Sequence, residues 1–194
     1  MTTSTAVVPK IYTIADYEAI TLRPDNTERR YELIHGEIVE KVPTEEHGTL
    51  AAWIAHLLLT HVRPGKLGRV AVEPRHHSLD DNFNARLPDV AFTRAERILP
   101  LVKQGSVPQM PDLAIEIHSP GDRPHAMREK ALYYLQKGST LVLLFYPASA
   151  SLEVCSLDQT GAFQIASLAG DGTLDLGSIL PGVQIPIRDF FDIE

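Results

Sequence analysis

The chain has 194 residues, 44% of them hydrophobic and 22% charged, with a formal net charge of −7 and one cysteine. These values exclude a disordered chain, an internal disulfide and a cysteine-rich zinc site, and the length suits one domain with a full core over residues 1–194. The acidic balance argues against avid wrapping of nucleic acid, where each phosphate contact needs a cation, yet it leaves room for a nuclease, whose metal site needs acidic side chains.

No apolar run approaches the ~20 residues of a bilayer span. The opening Met1-Thr-Thr-Ser-Thr-Ala-Val-Val lacks the basic residues and long apolar stretch of a signal peptide. With Cys155 alone, the expected location is the cytoplasm, with no membrane partner. Residues 1–12 read as a flexible N-terminal tail.

Thr13-x-x-Asp16 marks a helix start, and the helix continues through Tyr17 and Ile20 to stop before Pro24. Arg30 to Lys41 reads as a β-hairpin with His35-Gly36 at its turn. Glu45 to about His61 is the longest helical pattern, with Leu50, Ile54, Leu57 and Leu58 on one face and Pro64-Gly65 at its end. Gly68 to Pro74 is a short strand that the pattern can extend through His76 to Leu79, followed by turn chemistry at Asp80-Asp-Asn. Arg86 to Thr93 reads as another strand, and residues 94–110 as a surface loop with a short helical piece.

Leu113–His118 is a strand, and Ser119-Pro-Gly-Asp leads into a helix from about Arg123 to Lys137, closed by Gly138. Thr140 to Tyr146 is nearly all apolar, as expected of a strand buried on both faces. Ser151–Leu157 and Ala162–Leu168 form an antiparallel hairpin, and Ile185-Pro-Ile-Arg-Asp-Phe-Phe packs on the body. The fold class is therefore α/β with a mixed sheet. The order helix, strand, strand, strand, helix, strand covers about residues 45–146.

Strand alternation sorts the candidate residues. Leu113, Ile115 and Ile117 share one face, and Ala114, Glu116 and His118 the other. An unpaired buried carboxylate costs several kcal/mol, so Glu116 in a central strand must be paired, metal-bound, protonated or set at a cleft; in an edge strand it would face water. Asp89, after Pro88, opens the preceding strand. Two carboxylates on adjacent strand ends suit a hard cation with oxygen ligands, and magnesium often takes one or two protein carboxylates plus water and phosphate. Lys130 lies beside the stripe Met127, Ala131 and Tyr134, from which it can reach over the sheet toward the carboxylates. Other histidines fit a metal poorly: His76 and His77 face opposite sides of a strand, and His56 and His61 are on different sides of a helix. Arg123, Arg128, Lys130 and Lys137 make a small basic surface, read mainly as a solvated helix face, and Tyr133 and Tyr134 read as packing residues.

Pro88-Asp89 followed by Glu116-x-His118 resembles the PD-(D/E)xK nuclease signature, with His118 in the place of the lysine. Tyr31-Glu-Leu-Ile-His-Gly-Glu-Ile-Val, Leu87-Pro-Asp-Val-Ala-Phe, Pro111-Asp-Leu-Ala-Ile-Glu-Ile-His-Ser-Pro and Lys130-x-x-x-Tyr134-x-x-x-Gly138 are together similar to a restriction-endonuclease-like bacterial family of endonucleases of unknown function, over about residues 13–191. The resemblance implies an αβββαβ core, homodimers and Mg2+- or Mn2+-dependent cleavage of DNA phosphodiesters. It assigns Asp89 and Glu116 as metal ligands, with Lys130 replacing the strand lysine from the helix, Glu32 completing the site and His47 facing it. His118 is open to three roles: third metal ligand, general base or packed neutral side chain. The family's aspartates are missing at His35 and Ala126. A catalytically inactive, dimeric nucleic-acid-binding or protein-interaction module is the alternative, favoured by the net charge of −7. A hydrolase of another phosphoester is the third.

Overall fold

The computed structural model describes residues 10–193. The expected tail thus lies mostly outside the described residues; within its described part, the Tyr12 N–H donates to the Gly36 carbonyl oxygen at 2.8 Å. Thr13 and Asp16 form a reciprocal capping box at the start of α1 (Ile14–Thr21), satisfying two otherwise free donors. The buried Tyr17 hydroxyl donates to the Tyr31 carbonyl oxygen at 2.5 Å and ties α1 to β1 (Arg30–Ile34). β1 pairs with β2 (Glu37–Lys41) through a two-residue turn, which sets Glu32 opposite Val39 and Arg30 opposite Lys41. His35 and Gly36 both have positive φ, at 49° and 80°, the turn geometry whose twist matches the strands it joins.

α2 (Glu45–Gly65) runs one turn beyond the expected His61. Val62 is still core-facing, and Lys66 ends the helix in the left-handed conformation. β3 (Gly68–Val72) then stops because Glu73 turns with φ 49° and Pro74 has no N–H to give to a ladder. The expected extension through His76 is a separate strand, β4 (His76–His77). The expected strand from Arg86 to Thr93 is likewise two, β5 (Ala85–Arg86) and β6 (Val90–Arg94), parted at Leu87-Pro88-Asp89. β4 and β5 join the hairpin in a sheet of order β2-β1-β5-β4. The chain thus leaves one sheet after β3 and returns at β6.

The remaining strands are β7 (Leu113–Ile117), β8 (Leu141–Tyr146), β9 (Ser151–Leu157) and β10 (Phe163–Ala169). They complete a six-stranded sheet of order β10-β9-β8-β7-β6-β3, in which only β7 and β8 are parallel. α3 (Pro124–Gln136) connects those two. The elements α2, β3, β6, β7, α3 and β8 make the expected αβββαβ order within a mixed sheet.

Leu113, Ile115 and Ile117 face Leu50, Ile54 and Leu58 of α2 in the main core. That side is closed by β11 (Thr173–Asp175), β12 (Gln184–Pro186) and α4 (Ile187–Phe191). Here Trp53 Nε1–H donates to the Asp189 carbonyl oxygen at 2.7 Å and Phe190 is buried. Ala114 faces Met127, Ala131 and Tyr134 of α3 on the other side. The alternation read from the sequence is therefore the division of the core. The fully buried Asp112 before β7 takes 2.8 Å and 2.7 Å ion pairs from Arg94 and Arg97. No helix among the described residues is long and apolar enough to cross a membrane.

His76 and His77 do face different ways and pin one loop: their Nδ1 atoms lie 2.7 Å from the Gln109 carbonyl oxygen and the Ser106 hydroxyl. Burial outweighs the Gln109 bond and pulls the His76 imidazole down from 6.5 to about 4. The unfolded chain then binds the extra proton in that window, so stability is full above the ordinary histidine value and falls on acidification from about pH 6.5 to about pH 4. The contribution is on the order of 3 kcal/mol. Unfolding free energies measured across this range should fall less steeply for His76→Asn, whose amide can still donate to Gln109; equal slopes would contradict the assignment.

Candidate active site

The two sheet changes leave backbone groups without ladder partners, and the site is built on them. Leu87 donates its N–H to Glu32 Oε1 at 2.7 Å, and its carbonyl oxygen accepts from Lys41 Nζ at 3.1 Å. Asp89, one residue before β6, donates its N–H to the Ile115 carbonyl oxygen at 2.9 Å. Its Oδ2 accepts the Ile117 N–H at 2.7 Å. The aspartate is thereby clamped to the neighbouring strand by one main-chain and one side-chain bond, to the residues on either side of Glu116. A Pro-Asp pair at this point stops one ladder and starts another.

Glu116 lies in β7 between β6 and β8, so the edge-strand alternative does not apply. The α3 face supplies its partners: the Tyr134 hydroxyl donates to Oε1 at 2.8 Å, and Lys130 Nζ lies 2.8 Å from Oε2. Lys130 also meets Glu32, at 2.8 Å and 3.0 Å from its two oxygens. The helix lysine therefore does reach the carboxylates. Asp89, Glu32 and Glu116 are 1%, 4% and 4% exposed, so the cluster forms the floor of its cleft.

Lys41 completes the cluster. Its Nζ lies 2.7 Å from Asp89 Oδ1 and 3.5 Å from Glu116 Oε2. The sequence reading did not single it out, but the signal was present. A two-residue turn at His35-Gly36 fixes the hairpin register, and strand alternation then places Lys41 on the same face as Glu32. His47, at the start of α2, joins as well: its Nε2 is 3.0 Å from Asp89 Oδ1, and its Nδ1 is 3.2 Å from the Ser119 hydroxyl.

His118 is not brought to this cluster. Although it shares a strand face with Glu116, β7 has ended at Ile117. Its Nε2 lies 3.2 Å from the Asp122 carbonyl oxygen and its ring packs against Tyr146 at 5.5 Å between centroids. The expected ligand trio of Asp89, Glu116 and His118 is therefore not assembled, and the packed-side-chain role fits its surroundings. The basic surface expected on α3 is also largely spent internally. Lys130 is in the cluster, Arg128 pairs with Glu153, and Lys137 pairs with Asp80. Arg123 lines the cleft. The two tyrosines pack as expected: Tyr134 is fully buried, and Tyr133 lies under the Arg86 guanidinium at 4.7 Å.

The charges divide the three carboxyls. Burial opposes ionisation of Asp89, but Lys41 and His47 outweigh it and hold the carboxyl well below its usual range. Burial of Glu32 is likewise overcome by Lys130, Lys41 and Arg86, and its carboxyl also lies low. At Glu116, burial together with the neighbouring Asp89 and Glu32 outweighs the two lysines and pushes the carboxyl up. Burial would lower Lys41, but Glu116, Asp89 and Glu32 raise it above its usual range.

Among the described residues, no group of three or more His, Cys, Asp or Glu side chains is disposed to hold a metal ion. The donor set nonetheless fits one. Asp89 Oδ1, Glu116 Oε2 and the Leu87 carbonyl oxygen converge within 3.5 Å of a single cation, the Lys41 ammonium. Hard oxygen donors with only one or two carboxylates are what Mg2+ commonly takes from a protein. The cluster opens into a cleft of about 670 Å3 between the hairpin and α3, lined among others by Val39, Val42, Glu73, Asp122, Arg123 and Tyr133.

A mixed α/β core with carboxylates and a lysine at the crossing of two sheets is the arrangement expected from the resemblance to restriction-endonuclease-like proteins. The family model that matches residues 14–188 is Uma2, described as "Putative restriction endonuclease", and the chain belongs to that family. Among solved structures it is similar to a protein described as a putative nuclease belonging to DUF820, from Anabaena variabilis ATCC 29413. That match has 22% sequence identity and a TM-score of 0.77, and it covers 93% of this chain and 98% of the other. It establishes the shared fold. Comparison with curated proteins gives no match.

Glu32 links the sheet break to Lys130, so its loss strands both the buried Leu87 N–H and one side of a buried ion pair. Glu32→Ala should cost about 3–5 kcal/mol. Glu32→Gln, which can still accept from Leu87, should cost less. Urea unfolding measures both, and an alanine variant within about 0.5 kcal/mol of wild type would contradict this role.

Proposed function

We propose that the chain is an endonuclease that hydrolyses DNA phosphodiester bonds with a divalent metal, Mg2+ or Mn2+, held by Asp89 and Glu116. The observation that carries this reading is the convergence of Asp89 Oδ1, Glu116 Oε2 and the Leu87 carbonyl oxygen on one cation position beside Lys130. Membership of a family described as "Putative restriction endonuclease" supports the substrate class. Homodimers, frequent in the wider superfamily, are part of the proposal.

When bound, the ion supplies a water of lowered pKa and neutralises charge on the scissile phosphate. The protein's own residues prepare for that. The Ile117 N–H fixes Asp89 Oδ2 and the Tyr134 hydroxyl fixes Glu116 Oε1, which leaves Oδ1 and Oε2 turned toward the cation. This is the arrangement in which partners behind the ligands set their orientation. Lys130 Nζ, on the same Glu116 oxygen, donates to the attacking water or to the phosphate oxygen on which negative charge accumulates. Glu32 holds Lys130 from the opposite side through both its oxygens. His47 braces Asp89 from α2. In the hydrolysis, water oxygen bonds to phosphorus, the bond to the leaving oxygen breaks, and the water's proton passes through solvent to that leaving oxygen.

Plasmid cleavage in Mn2+, read alongside calorimetric titration of the metal, tests this. Glu116→Ala should abolish both, and Tyr134→Phe should weaken metal affinity or cleavage by about 10–100-fold. Cleavage by Glu116→Ala at the wild-type rate would place the activity elsewhere or in a contaminant.

A further inference from the structure

Lys41 stands where the proposed ion must stand. Its Nζ touches Asp89 Oδ1 at 2.7 Å and the Leu87 carbonyl oxygen at 3.1 Å, with Glu116 Oε2 at 3.5 Å. Those are the three oxygens turned toward the cation position. An ammonium and a divalent ion cannot share them, because two cations at contact distance repel strongly in a buried setting. Lys130 does not face the same conflict. It is held by both Glu32 oxygens and shares only Glu116 with the cation position.

Lys41 also has a way out. It is the last residue of β2, and its side chain is 22% exposed. It opens onto the cleft wall beside Val42, which is 82% exposed, and Pro43. Without a divalent ion, the lysine supplies the positive charge that the buried Asp89 and Glu116 require.

We propose that Lys41 is a built-in counter-cation that the divalent ion displaces, and that the displaced ammonium moves to the cleft mouth, where it meets a phosphate of the substrate. This inference rests on the metal reading of the Asp89–Glu116 pair. It makes metal loading a competition between a tethered monovalent cation and a free divalent one. It also couples loading to a more positive cleft, which suits a polyanionic substrate entering a protein of net charge −7.

The test uses the full chain and Mn2+ alone, in two arms. In the first, Lys41→Met removes the competitor while keeping a side chain of similar length; Mn2+ should bind about tenfold tighter than to wild type, read by electron paramagnetic resonance of the free ion. The variant without metal should melt lower, and its melting point should rise further on adding Mn2+. In the second, wild-type protein is acylated at its amines with and without Mn2+ and mapped by mass spectrometry. Mn2+ should speed modification of Lys41 and leave Lys130 unchanged; this arm decides if the variant does not fold. Binding by Lys41→Met but not by wild type would also support displacement. Equal affinities, with Lys41 acylation unmoved by bound Mn2+, would overturn displacement and leave the metal reading standing. Failure of both proteins to bind Mn2+ would overturn the metal reading and this inference together.

Discussion

Three carboxylates buried in one place repel one another and lose their hydration, and the structure around the cleft exists in large part to offset that cost. Lys41 and Lys130 pair directly with the three carboxyls, with His47 on Asp89 and Arg86 acting on Glu32. The compensation is uneven: Glu116 is pushed up while Asp89 and Glu32 are held down. Each charge comes from a different element: Glu32 from β1, Lys41 from β2, Asp89 from the sheet break, Glu116 from β7 and Lys130 from α3. Removing any one leaves a buried partner uncompensated, which costs far more than a surface ion pair is worth. The cluster therefore fastens the hairpin and α3 to the central sheet.

The break at Leu87-Pro88-Asp89 makes this possible. A continuous strand from Ala85 to Arg94 would satisfy its own backbone groups in one ladder. Instead Leu87 gives its N–H to Glu32 and accepts from Lys41, while Asp89 is bonded through main chain and side chain to β7. The same hydrogen bonds close the fold and fix the orientation of Asp89. For Asp89 and Glu116, one oxygen is fixed by a main-chain N–H or a tyrosine hydroxyl, and the other faces Lys41, with His47 also on Asp89 Oδ1 and Lys130 also on Glu116 Oε2. For the proposed reaction that division of labour would be preorganisation, the reorganisation cost being met in folding rather than at each turnover.

Much of this was legible in the sequence because it obeys local rules. The capping box at Thr13, the hairpin turn at His35-Gly36, the α2 stripe and the alternation of Leu113–Ile117 each follow from short-range pattern, and each forms as read. The long-range consequences were harder. The two strand breaks depend on which sheet each half joins, which no periodicity encodes. Only Pro74 and Pro88 hint at them. Lys41 was missed because a lysine at a strand end ordinarily faces water, although the hairpin register put it on the Glu32 face. His118 departs from the face that alternation assigns it, because alternation fixes a face only while the strand lasts, and β7 ends one residue before it. Arg86 illustrates the same limit: it is 4% exposed, stacked on Tyr133, and its Nε finds no hydrogen-bond partner among the described residues. Nothing in its sequence neighbourhood sets it apart from a surface arginine.

The central claim is that the oxygens of Asp89 and Glu116 form a seat for a divalent cation. Anomalous X-ray scattering from crystals soaked in Mn2+ tests it most directly, in a lattice that leaves the cleft open. The account predicts a Mn2+ peak bonded to Asp89 Oδ1 and Glu116 Oε2, with the Lys41 side chain moved out of that position. Saturating Mn2+ with no peak there, and Lys41 still seated between the two carboxylates, would contradict it.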